Sequence, residues 1–90
     1  MERKRSKMEI MNDILRIVQD RGRNTKKTHL MYKANLSHKQ MKSYLDELFK
    51  NGLIEGDLSS ENYSVRITKK GMNFLVKYIQ MREFEKTFGL

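Results

Sequence analysis

Within two helical turns, Ser37, His38, Lys39, Gln40, Lys42 and Ser43 set hydroxyl, imidazole, ammonium and amide groups side by side. Side chains of these types donate hydrogen bonds to phosphate oxygens and to base edges. They do not assemble into a catalytic set. His29 and His38 are the two histidines of the chain and fall on different predicted helices, and there is no cysteine. No carboxylate pair, no Ser/His/Asp arrangement and no metal-ligand spacing accompanies them. The five glycines are scattered singly, so no phosphate-cradling loop is formed. The expectation is a non-enzyme, with no cofactor, no metal and no evident small-molecule substrate.

The stretch that carries these groups, "NLSHKQMKSYLDELFKNG", predicts a helix over 38–50. Ser37 and Gln40 form a capping box at its start, and Gly52 stands where a terminating glycine belongs. Met41, Leu45 and Leu48 fall within about 60° of one another around the axis. Tyr44 and Phe49 flank that stripe, and Leu36 packs just before it. The opposite face carries Lys39, Ser43, Asp46 and Lys50, with Gln40 and Lys42 at its edges. The charge order is inverted. Cations crowd the positive end of the helix dipole while Asp46 and Glu47 come later, an arrangement that costs about 0.3–1 kcal/mol per charge. Lys42 and Asp46 also stand in the poorer order for an ion pair four residues apart. A helix whose first turns enter a major groove resolves the conflict, because His38, Lys39 and Lys42 are then placed for phosphates and guanine edges.

The whole chain carries the same bias. Its 90 residues form one domain with a net charge of +8. Residues 1–45 hold the entire excess and residues 46–90 are neutral. A basic half opposite a neutral one fits a polyanionic partner, most simply duplex DNA. No segment has the length of a membrane-spanning helix, and the basic N-terminus lacks the apolar stretch of a signal peptide. A cytoplasmic protein without membrane contact is expected.

Four helices and one short hairpin are predicted, an α+β fold that is mainly α. Ser6 and Glu9 form a second capping box, opening a helix whose inward positions are Met8, Met11, Ile14, Leu15 and Val18. "DRGRNT" ends it, with Gly22 as its cap and Thr25 as the candidate N-cap of a short helix near "KKTHLMYKA". Leu30 and Met31 face inward there, and Lys26, Lys27 and Thr28 at its start join the candidate DNA contacts. The tight "NL" link to the next helix makes a helix-turn-helix. Leu53–Glu55 and Tyr63–Thr68 read as strands, with Tyr63, Val65 and Ile67 alternating against Ser64, Arg66 and Thr68. The intervening "GDLSSEN" suits a small wing, too acidic for a minor-groove arm. The result is a winged helix-turn-helix over 1–68, with 69–90 a C-terminal helix in the same single domain.

"RKRSKMEIMNDIL", "TKKTHLMYKANLSHKQMKSYLDELFKNGLIE" and "YSVRITKKGMNFL" together resemble the small archaeal winged-helix DNA-binding proteins of the Sulfolobus ten-kilodalton chromatin-protein type. The likeness runs over residues 3–80 in unbroken order, and "THLMYKANLS" and "ITKKG" are its most specific pieces. The resemblance implies a dimeric, sequence-tolerant DNA binder or a transcriptional regulator. Its recognition helix corresponds to 38–50, and its basic N-terminal segment to Arg3, Lys4, Arg5 and Lys7. Such proteins often carry a long charged coiled-coil helix, whereas residues 72–90 are all that follow "ITKKG" here.

That last segment predicts a helix over 69–88 with Thr68 as N-cap. Met72, Leu75, Val76 and Ile79 share one face, expected to pack inward. Phe74, Tyr78, Met81, Phe84 and Phe88 lie nearly opposite, and a domain this small covers only one face. The aromatic stripe is therefore the candidate homodimer interface. "REFEKTFGL" is not basic enough for a membrane-surface helix. A competing reading keeps the winged helix and makes it a protein-docking module that does not read DNA. Steep salt dependence of binding to random duplex separates the two.

Overall fold

The computed structural model describes residues 5–22, 24–57 and 64–90. Its elements run α1 (Lys7–Arg21), β1 (Thr25–Lys26), α2 (Lys27–Ala34), α3 (His38–Lys50), β2 (Ile54–Asp57), β3 (Ser64–Ile67) and α4 (Lys69–Phe88). The three strands form an antiparallel sheet in the order β1-β3-β2. The segment "LSSEN", expected as a turn, and Tyr63 lie outside the described residues, as do Arg3 and Lys4.

Each helix begins and ends for local reasons. Ser6 and Glu9 cap α1 reciprocally, and α1 stops at Gly22, whose φ of 69° is left-handed. Helix α3 ends in a Schellman turn. Leu53 N–H donates to the Leu48 carbonyl at 2.9 Å and Gly52 N–H to the Phe49 carbonyl at 3.0 Å, with Gly52 at φ 74°. Leu48 and Leu53 are both buried, the apolar contact that accompanies this motif.

The core joins every layer. Ile14, Leu15 and Val18 of α1 meet Leu30 and Ala34 of α2, Met41, Leu45 and Leu48 of α3, Ile54 and Val65 of the sheet, and Leu75 of α4. The α3 stripe is buried as its spacing predicts, and Leu36 is buried beside it. On α1, Met8 is exposed and Ile10 takes an inward place instead.

Two further expectations change. Thr25 is not the N-cap of α2. It is a fully buried strand residue opposite Val65, and Lys26 holds the N-cap position without a side-chain cap. A two-residue strand has no periodicity to betray it, and a β-branched residue is at home there. The second change concerns the rotation of α4. Met72, Val76 and Ile79 are 40%, 52% and 46% exposed, whereas Gly71 and Leu75 are buried and Phe74 packs against the core.

The "ITKKG" junction explains that rotation. Thr68 Oγ1 accepts from Gly71 N–H at 3.0 Å and donates to the Gly52 carbonyl at 2.7 Å. Lys70 Nζ donates to the Asn51 carbonyl at 2.7 Å. A Cβ at Gly71 would stand 2.2 Å from the Leu53 carbonyl oxygen. The start of α4 is thus clamped onto the end of α3 by backbone contact, and this fixes which side chains face in.

Candidate nucleic-acid interface

The two helices of the helix-turn-helix are joined through Asn35, whose φ of 54° is left-handed. Leu36 N–H donates to the Met31 carbonyl at 3.3 Å, and Ser37 then caps α3. Asparagine tolerates this conformation better than most residues, which permits so short a link. Leu30 and Ala34 below, with Leu36, Met41, Leu45 and Leu48, hold α3 so that its other face is open to solvent.

On that face His38, Lys39, Gln40, Lys42 and Ser43 are all exposed. Among the described residues no hydrogen bond or ion pair engages the side chains of Lys39, Lys42 or Ser43. No acidic residue stands in the first turn of α3 to offset the dipole. Ser37 and Gln40 are already occupied in part: Gln40 N–H donates to Ser37 Oγ at 3.2 Å and Ser37 N–H to Gln40 Oε1 at 3.0 Å. Their first role is to start the helix.

The beginnings of α2 and α3 come together. Lys27 Nζ lies 3.4 Å from His38 Nε2, and Lys26 and Thr28 beside Lys27 are exposed. A basic cluster spanning both helices is the outcome, with Lys39 and Lys42 continuing it along α3.

The N-terminal segment is held differently from a free arm. Arg5 donates to Asp13 Oδ2 at 3.0 Å and to the Ala34 carbonyl at 2.8 Å. It is a brace between α1 and the end of α2, where a cation suits the negative end of the dipole. Lys7 pairs with Glu47 of α3. The charge of Glu47 is therefore balanced within the fold. Exposed pairs of this kind contribute about 0–1 kcal/mol, so Lys7 stays exchangeable.

The sequence reading did not select Arg66. On β3 it donates to Asn24 Oδ1 at 2.8 Å and faces Glu55 across the strand pair, with Nε 3.5 Å from the carboxylate. It fastens the root of the wing. Its only sequence signal was the alternation that put it opposite Val65 in the pleat.

Among the described residues no group of His, Cys, Asp and Glu could hold a metal ion, and no helix is long and apolar enough to cross a membrane. The aromatic stripe of α4 is divided. Met81, Phe84 and Phe88 are exposed, while Phe74 and Tyr78 are half-buried and stacked at 6.2 Å between ring centroids.

Comparison with known proteins places this arrangement. No curated protein matches the chain. Among solved structures, Sso10a-2, a DNA-binding protein from Sulfolobus solfataricus, is 28% identical, with a TM-score of 0.75 over 94% of this chain and 90% of that one. AF1382 from Archaeoglobus fulgidus shares the fold at 14% identity and a TM-score of 0.66, covering 83% of this chain and 85% of its own. The family model for winged helix-turn-helix proteins matches residues 4–86. With its helix-turn-helix, its three-stranded sheet and its small archaeal structural relatives, the chain belongs to the winged helix-turn-helix family.

Proposed function

We propose that this protein binds duplex DNA as a homodimer, with the first turns of α3 in the major groove. The observation that carries the reading is the unpartnered pair Lys39 and Lys42 at the positive end of α3. Among the described residues nothing compensates them, and phosphate does. His38, Ser43, Lys26, Lys27 and Thr28 adjoin them, and Ser37 and Gln40 set the pitch of the helix start. Arg3, Lys4 and Lys7 add sequence-independent backbone attraction, and Arg5 braces α1 against the end of α2. The likeness to a DNA-binding protein from Sulfolobus supports the assignment.

The role that fits is a transcriptional regulator or a chromatin-associated protein, not an enzyme. Met81, Phe84 and Phe88 form the centre of the dimer seam, with Phe74 and Tyr78 supporting it from the domain side. Pairing along a helix of about 30 Å would present two recognition helices to one side of the duplex.

Titrating a random 20–30 base-pair duplex across a range of salt concentrations tests the reading. A log–log slope of about −0.9 per phosphate contact is expected, with several contacts per dimer. Affinity that is weak and independent of salt would hand the protein to the docking-module reading.

A further inference from the structure

A cleft of about 470 Å³ lies between α1 and α4, lined in part by Asn12, Arg16, Tyr78, Ile79, Arg82 and Glu85. Of the residues assigned above to DNA or to the dimer seam, it takes only Tyr78.

Two of its acceptors lack donors. Asn12 is 8% exposed, and its Oδ1 is buried without a hydrogen bond. Glu85 Oε1 is also buried without one. Its nearest cation, Arg82, stands 3.7 Å away, beyond hydrogen-bond range. An unmet buried acceptor is costly and rare in native proteins. Both groups call for a donor, Glu85 having Arg82 at ion-pair distance but no hydrogen bond. The terminal torsions of Asn and Glu are soft, so a small rotation turns either oxygen toward a guest in the cleft.

The rest of the lining restricts that guest. Arg16 and Arg82 offer guanidinium groups suited to a carboxylate, and Lys86 and Glu83 add one charge of each sign at the edge. Tyr78 and Ile79 supply an apolar wall. A lone amine leaves the arginines unused, and a lone anion leaves the acceptors unmet.

We propose that the α1–α4 cleft binds a free α-amino acid with an apolar side chain. Its ammonium group meets Asn12 Oδ1 and Glu85 Oε1, its carboxylate meets Arg16 and Arg82, and its side chain rests on Tyr78 and Ile79. The ligand bridges the two helices that flank the cleft, so occupancy stiffens the attachment of α4 to the domain. The site uses none of the side chains assigned to DNA and shares only Tyr78 with the dimer seam.

Calorimetry and thermal unfolding of the full chain test it, with L-phenylalanine and L-leucine as probes. Phenethylamine and 3-phenylpropionate serve as controls lacking one charge each. One molecule of amino acid per chain is expected, raising the unfolding temperature by mass action. Each control should bind at least about tenfold more weakly, the loss of one charged hydrogen-bonding group. Asn12→Leu should abolish binding while leaving DNA affinity unchanged. Arg16→Ala, at an exposed position, provides the same test should Asn12→Leu fold poorly. The proposal is overturned if neither amino acid binds at millimolar concentration, or if a control binds as tightly. Absence of binding together with a dimer weakened by Asn12→Leu would assign the cleft to a second copy of the chain, which also overturns it.

Discussion

Helices α3 and α4 are held to the domain in contrasting ways. Helix α3 buries one continuous stripe, Met41, Leu45 and Leu48, and shows solvent a mostly polar face with Phe49 at its margin. Helix α4 is gripped in its first turns by Thr68, Lys70, Gly71 and Leu75, then continues with apolar side chains on both flanks. In the first helix, side-chain burial sets the orientation, and the exposed chemistry follows from it. In the second, a backbone contact sets the orientation, and the exposed apolar residues follow. One helix is thus arranged to present charge, the other to present hydrophobic surface. On the proposed function these faces serve two partners of opposite character, and variants on one helix leave the other face intact.

The strongest way to break the contrast is Gly71→Ala. The new Cβ would meet a backbone oxygen that cannot move aside, and a cost of about 3 kcal/mol or more is expected. Urea unfolding should show it. Gly22→Ala, where nothing lies within 4 Å, should cost about 1 kcal/mol through its left-handed φ alone. Equal effects would mean that the contact at Gly71 does not fix α4.

Next in size is the comparison of Leu75→Ala with Ile79→Ala. Truncating buried Leu75 should cost about 2–4 kcal/mol, and half-exposed Ile79 under about 1 kcal/mol. The reverse order would restore the sequence-based rotation of the helix.

The contrast also explains what could be read in advance. For α3, the capping box, the apolar stripe and the inverted charges all point one way, so element, face and exposed groups were legible together. For α4, apolar residues occur nearly all round, so periodicity cannot choose a face. Gly71 chooses it, and a glycine's close approach to another segment leaves no periodic trace. Thr25 was misplaced because threonine suits both a cap and a strand, and its partner Val65 lies forty residues away. Arg5 read as a free cation because its acceptors are brought near only by the packing of α1 on α2. The cleft around Asn12 and Glu85 is invisible for the same reason.

Smaller in stability, though not in assembly, is the effect of Met81→Glu with Phe88→Glu. Both positions are exposed, so folding should change by less than about 0.5 kcal/mol. Sedimentation at micromolar concentration should nevertheless show a monomer, because charge buried in a seam is far costlier than charge left in water. Phe74 is unsuited to this test, since it also packs against the core. A wild-type protein that already sediments as a monomer would remove the twofold arrangement altogether.

The central claim is that Lys39 and Lys42 stand at the positive end of α3 for the sake of phosphate. The most direct measurement is the salt dependence of duplex binding for Lys39→Ala with Lys42→Ala against the wild type. The double variant should fold as well or slightly better, since it relieves about 0.3–1 kcal/mol of dipole conflict per charge. Its affinity should fall, and its log–log salt slope should flatten by about one unit for each lost contact. An unchanged slope and affinity in a well-folded double variant would contradict the account.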